Sequence, residues 1–342
     1  MPDMVEARLY EKGDKGEVNC SLCAHRCKIP AGKSGICNVR KNIGGVLYTS
    51  TYDHIVAANP DPIEKKPLFH FKPGSSSYSV ATVGCNFTCS FCQNHNLSQW
   101  LKENPDKTPP GQAVSPKEIV ADALRHSCAS IAFTYTEPTV FFELAYDTAK
   151  LASTYDIDSV FVSNGYMTHE AIEAFHPYLK AINIDLKAYS DETYRKVCGG
   201  SLEPVLNSIK RFKELGVWVE VTTLIVPGMN DSKKELSDIA KFISSVDPDI
   251  PWHVSAFHPD YKMQNLDRTS IDKLHEAWRI GQSAGLHFVY TGNIPSNELE
   301  STRCPSCGTN LIRRYGFHSQ LVGMREDRCS SCGVKIPGVF SS

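Results

Sequence analysis

From residue 77 to 293, short β-branched runs alternate with amphipathic segments, the rhythm of repeated βα units around a parallel sheet. Seven runs read as strands: 78–83, 130–134, 159–162, 181–185, 218–226, 252–256 and 287–290. Helix starts stand between them. Ser115-Pro116-Lys117-Glu118 supplies a capping hydroxyl, a proline suited to the first turn and a glutamate that closes a capping box. Ser232 to Glu235 repeats that logic ahead of Leu236, Ile239, Ala240 and Ile243, whose spacing makes one apolar helix face. Six or seven such units in roughly 220 residues predict an α/β fold, a partial or near-complete (β/α) parallel barrel of the TIM type. Alternation alone does not separate it from a doubly wound sheet, but either places chemistry at the strand C-terminal ends.

The flanks lack this rhythm. Residues 1–74 read as an N-terminal cysteine-rich, metal-stabilised segment, 75–296 as the core barrel, and 297–342 as a C-terminal four-cysteine module resembling a zinc ribbon. Of 342 residues 41% are hydrophobic and 22% charged, with 36 Lys plus Arg against 38 Asp plus Glu, the composition of a soluble globular protein. That balance gives no strong nucleic-acid signal. No apolar run is long enough to span a bilayer, and no secretion leader is evident, so the expected address is cytoplasmic. Thirteen cysteines in such a chain point to metal rather than disulfides.

Eleven of them cluster. Cys85, Cys89 and Cys92, in Gly84-Cys85-Asn86-Phe87-Thr88-Cys89-Ser90-Phe91-Cys92, follow the first predicted strand. Three soft thiolates there suit an iron–sulfur cluster, and because a cubane normally takes four, one iron stays open to an exogenous donor. The glycine and polar residues argue against a buried cysteine stripe on a helix.

This Cys-x-x-x-Cys-x-x-Cys resembles the radical S-adenosylmethionine (SAM) superfamily over residues 77–293. The resemblance implies a [4Fe-4S] cluster whose open iron chelates SAM, and reductive cleavage of SAM to a 5′-deoxyadenosyl radical that abstracts hydrogen from a substrate. It also implies that Phe91 packs near the adenine. Asp185-Leu186-Lys187 and Val226-Pro227-Gly228-Met229-Asn230-Asp231 place the closest likeness in the pyruvate formate-lyase activating enzyme branch. By that likeness Asp185 helps hold a monovalent cation beside the cofactor, with Lys187 nearby. Tyr135-Thr136-Glu137-Pro138 stands where the branch has Gly-Gly-Glu-Pro, so Tyr135, Thr136 and Glu137 inherit the cofactor position with narrower space. Ser163 and Asn164 stand where an Asp is common, and His258 matches a position near the cofactor.

Cys304-Pro305-Ser306-Cys307-Gly308 and Cys329-Ser330-Ser331-Cys332-Gly333, 21 residues apart, have the spacing of a closed, structural four-thiolate zinc site. Arg303, Arg313, Arg314 and Arg325 leave open a basic docking face beside it. Cys20, Cys23, Cys27 and Cys37 could hold zinc or a second iron–sulfur cluster, with His25 able to replace one ligand. Together with Gln93-Asn94 these motifs resemble the radical member of the AmmeMemoRadiSam system, which implies Memo-like and AMMECR-like companion proteins. An external one-electron donor such as flavodoxin or ferredoxin is expected. Cys198, before Gly199-Gly200, is a candidate hydrogen donor or covalent partner on the substrate side, and Cys128 reads as core. The competing class is a non-catalytic metal-stabilised binding module for RNA or protein on a barrel scaffold.

Overall fold

The computed structural model describes residues 4–294 and 298–340. Its centre is an eight-stranded sheet: β1 (Ala57–Pro62), β2 (Ser76–Ala81), β3 (Ser130–Phe133), β4 (Asp158–Ser163), β5 (Leu179–Asp185), β6 (Trp218–Ile225), β7 (Trp252–Ala256) and β8 (Val289–Gly292). Strands β2 to β8 run parallel, each beside the next in sequence, and β1 pairs antiparallel with β2. A doubly wound sheet reverses its strand order part-way. This one never does, which settles the barrel over the alternative, and the barrel is open because β2 and β8 share no ladder.

All seven expected strands are present, with ends shifted by at most two residues. Strand β1 escaped the hydrophobic pattern because its sequence, Ala-Ala-Asn-Pro-Asp-Pro, carries two prolines, tolerable only at a sheet edge. Six longer helices cross between the parallel strands: α1 (Pro116–Arg125), α2 (Phe142–Ala152), α3 (His169–Phe175), α4 (Leu202–Glu214), α5 (Lys233–Val246) and α6 (Ile271–Ser283). The Ser115–Glu118 capping box forms in both directions, and Ser232 caps the Glu235 amide. Leu236, Ile239, Ala240 and Ile243 are fully buried on α5, as their spacing requires.

The barrel is plugged from below. Residues 63–71 thread beneath the sheet, where Ile63, Leu68 and Phe71 pack on Ala132, Val160 and Ala181. Buried Glu220 on β6 accepts hydrogen bonds from the amides of Phe69 (2.9 Å) and His70 (2.8 Å), from Trp218 Nε1 (2.9 Å) and from His253 Nε2 (2.6 Å). The C-terminal module seals the same end. Arg314 donates to Phe69 O (2.6 Å) and Thr302 Oγ1 (2.7 Å), and His70 Nδ1 contacts Pro337 O at 2.7 Å. Arg314 is 4% exposed, so it is withdrawn from the basic face expected of the module. Access is left to the opposite mouth, where the parallel strands end.

Candidate active site

A cavity of about 330 Å³ opens at that mouth. Its wall includes Cys85, Cys89 and Cys92 from the loop after β2, Tyr135, Thr136 and Glu137 after β3, Ser163 and Asn164 after β4, and Asp185 and Lys187 after β5. Phe91 lines it too. The three-cysteine loop is not helical, and backbone from two sides holds it, with Lys262 N donating to Ser90 O (3.0 Å) on one side and the 197–198 segment on the other. Thr88 N donates to Cys198 O (2.7 Å) and Ser90 N to Val197 O (3.1 Å). Gly199 and Gly200 permit this approach: a β-carbon on Gly200 would sit 2.3 Å from the Phe87 ring, and one on Gly199, at φ +77°, 2.5 Å from Thr88 Oγ1.

Glu137 organises the opposite wall. It is buried, and its Oε1 accepts from Thr139 N (3.0 Å), Thr139 Oγ1 (2.6 Å) and Ser163 Oγ (2.8 Å), its Oε2 from Asn164 N (2.8 Å). Burial pushes this carboxyl upward, against which the four donors favour its charge. Asn164 then reaches the cysteine loop, with Nδ2 2.7 Å from Asn86 Oδ1 and 3.8 Å from Cys85 Sγ. The chain of contacts Glu137, Ser163, Asn164, Asn86 ties two strand tips to the first cysteine.

Tyr135 occupies a left-handed backbone conformation, φ 64°, where glycine would be relaxed. Its side chain is held within the wall: the hydroxyl donates to Asp61, and the Lys66 ammonium lies 4.7 Å from the ring centroid. Thr136 spends its hydroxyl on Thr82 O at 2.8 Å, and both side chains line the cavity while keeping these polar partners. Asp61 also binds Lys65 and Lys66, each at 2.8 Å, and Lys65 lines the cavity. Burial lowers Lys66 to about 8 despite that partner.

Lys187 and Asp185 pair at 2.9 Å, with Lys187 Nζ 5.7 Å from the Phe91 ring centroid. Burial opposes the Lys187 charge, but Asp185 and the Cys89 sulfur raise it well above the usual value and keep it cationic. His258 lies outside the lining, exposed, its Nδ1 3.3 Å from Gln93 Nε2. Cys198 is fully buried and also outside the lining; its proximity to Cys89, with burial, pushes the Cys89 thiol up. Cys128 is core. Gln93 and Asn94, from the motif after the cysteines, also line the mouth, as do Lys65, Thr222 and Asn293, which carry no motif that would have marked them.

The residues fit an iron–sulfur cluster. Three thiols converge on one cavity beside a cationic lysine, and burial raises each of them, so a metal is what would let them ionise together. A shallower depression of about 650 Å³ between α5 and α6, lined by Lys233, Lys241 and Arg279, has no cysteine in its lining.

Residues 79–243 match the model of the radical SAM superfamily. An uncharacterised protein of Methanocaldococcus jannaschii is 44% identical over 336 residues, covering 97% of this chain and 99% of that relative. The chain belongs to the radical SAM superfamily. The pyruvate formate-lyase-activating enzyme of Clostridium pasteurianum is 24% identical over 207 residues, 56% of this chain and 83% of that enzyme. Among solved structures, a radical SAM methyltransferase from Sphaerobacter thermophilus superposes with a TM-score of 0.51 at 15% identity, over 65% of this chain and 67% of that one, a likeness of fold. For this radical SAM chain the family implies a [4Fe-4S] cluster, SAM and a reductant. The family match does not favour the reading as a non-catalytic scaffold.

The tail quartet has a different geometry. Cys304 and Cys332 stand 3.6 Å apart, as do Cys307 and Cys329, and all four sulfurs lie within 4.8 Å of one another. Tetrahedral Zn–S bonds of about 2.3 Å put sulfurs about 3.8 Å apart, so this set fits one ion. Among the described residues no other group of three or more His, Cys, Asp or Glu closes so far. No helix among them is long and apolar enough to cross a membrane.

Proposed function

We propose that the protein is a SAM-cleaving radical enzyme in which Cys85, Cys89 and Cys92 hold a [4Fe-4S] cluster at the barrel mouth. The observation that carries this reading is the convergence of three thiols, and no fourth, on a cavity walled by the tips of β3, β4 and β5. When bound, the cluster and SAM supply a reducing electron and a 5′-deoxyadenosyl radical for hydrogen abstraction. The chain's own residues position and insulate that chemistry. Asn164, oriented by Glu137, steadies the cysteine loop through Asn86; Phe91 offers a flat apolar face to an adenine; Asp185 and Lys187 present a paired charge to an amino-acid carboxylate or its counter-cation.

The resemblance to glycyl-radical activating enzymes supports hydrogen abstraction from a partner substrate, and flavodoxin or ferredoxin suits the reductant. Memo-like and AMMECR-like companions belong to this reading through the motifs of the AmmeMemoRadiSam system. Zinc suits the tail quartet. Cys198, facing Cys89, is assigned here to supporting the cysteine loop before any role toward substrate. Anaerobic, dithionite-reduced protein given SAM is expected to release 5′-deoxyadenosine and methionine, and Cys85→Ala to release neither. Iron-replete protein that leaves SAM intact would overturn the assignment.

A further inference from the structure

The N-terminal quartet sits against the cysteine loop. Hydrogen bonds within the 20–40 segment, from Cys20 N to Cys27 O (2.9 Å), Arg26 N to Cys23 O (3.0 Å) and Gly35 N to Arg40 O (2.9 Å), fold it on itself, and Cys27 Sγ would lie 3.6 Å from a β-carbon on Gly35. Its two halves then dock on the loop that carries the triad. His25 Nε2 meets Asn86 O at 2.9 Å, one residue from Cys85. Val39 approaches Gly84 so closely that a β-carbon there would be 2.6 Å away, and Asn38 Nδ2 donates to Leu101 O at 3.2 Å. Lys102, next to Leu101, donates to Phe87 O (2.6 Å) within the same loop.

Two further features bear on what the quartet holds. Buried Arg40 pairs with buried Glu143 and places Nη1 3.7 Å from Cys20 Sγ, yet its Nε has no partner, so a cation is built into the wall of the quartet. The sulfurs do not close to the single-ion spacing of the tail quartet. Thiolates bound to different corners of an iron–sulfur cube stand further apart than four sulfurs on one zinc.

Resting on the function proposed above, we infer that Cys20, Cys23, Cys27 and Cys37 hold a second [4Fe-4S] cluster, which relays single electrons to the cluster on Cys85, Cys89 and Cys92. One electron from an external low-potential protein donor takes the outer cluster from the 2+ to the 1+ state. Its transfer returns the outer cluster to 2+ and reduces the inner one by the same change, with no proton moved. The path runs through the His25–Asn86 hydrogen bond. Ile36, beside Cys37, is 51% exposed, and Lys28, Lys33 and Lys41 are exposed nearby in sequence, which suits an acidic donor.

The test is metal content and spectroscopy of the full-length, anaerobically purified protein. About eight irons, eight sulfides and one zinc per chain are expected; about four irons with two zincs would overturn the proposal. A Cys85→Ser/Cys89→Ser/Cys92→Ser variant should keep about four irons and a reduced-cluster paramagnetic signal that SAM does not alter, whereas iron-free variant protein would overturn the second cluster. In a Cys20→Ser/Cys37→Ser variant the ratio of flavodoxin-driven to dithionite-driven SAM cleavage should fall about tenfold or more; an unchanged ratio would overturn the relay. Eight irons with no SAM cleavage would refute the catalytic assignment while leaving the second cluster standing.

Discussion

Glu137→Gln tests whether a buried carboxylate, rather than the cysteines alone, sets the geometry of the mouth. The carboxylate accepts four hydrogen bonds and its surroundings are matched to an acceptor on both oxygens. A glutamine in the same pose does best by keeping its oxygen on Thr139 and Ser163 and turning its NH2 toward the Asn164 amide. That leaves two buried donors facing each other, at a cost of about 1–3 kcal/mol. The three remaining bonds lose their charge, worth up to about 1 kcal/mol each, partly offset because a charge no longer has to be desolvated. The net is about 2–4 kcal/mol, or a fall in Tm of roughly 3–6 °C for a chain of this size. Because Asn164 leads to Asn86 and Cys85, the same variant should raise the KM for SAM and shed iron from the triad on desalting. Calorimetry of anaerobic protein with parallel iron analysis is the assay. A Tm within about 1 °C of the wild type, with KM and iron unchanged, would refute the network.

Gly200→Ala should overpack the loop against Phe87, costing about 1–3 kcal/mol and lowering triad iron, with the zinc proposed for the tail quartet unaffected; iron and zinc analysis of the variant checks it. Burial lowers His70 to about 4, so its neutral form stabilises the fold. As pH drops below the unfolded value near 6.5, the unfolded chain takes up a proton that the native one refuses, and stability falls until about pH 4. That amounts to about 2 kcal/mol by pH 5, and His70→Gln should flatten the dependence of Tm on pH between 6.5 and 5. Cys329→Ser should release the metal proposed for the tail quartet and lower Tm by loosening Arg314 and His70 at the barrel floor, while triad iron stays unchanged; simultaneous loss of triad iron would contradict the separation of the two sites.

The barrel was legible because its strands are β-branched runs buried on both faces and its helices carry capping signals that local geometry enforces. The direction of winding was not, since alternation is the same for a barrel and a doubly wound sheet; only the sequential ladders decide. The cysteine sets were legible because metal ligation fixes spacing along the chain. The plug at 63–71 was hidden: Ile63, Leu68 and Phe71 have no period, and their burial depends on Glu220 some 150 residues away accepting backbone amides. Lys65 at the mouth and its partner Asp61 were missed for the same reason, and Tyr135 could be matched to a glycine position without revealing that its hydroxyl finds Asp61 and its ring Lys66. His258 shows the converse, a residue matched by position whose side chain lies outside the cavity lining. Arg314 was read by charge as a surface residue, but its guanidinium satisfies carbonyls beneath the barrel.

The open corner of the inner cluster can be probed by electron–nuclear double resonance on reduced protein mixed with SAM labelled with oxygen-17 in its carboxylate. A hyperfine coupling from the labelled oxygen to the cluster, lost in Cys92→Ala, is expected. A reduced cluster with no such coupling, its irons all held by protein ligands, would contradict SAM chelation at the barrel mouth.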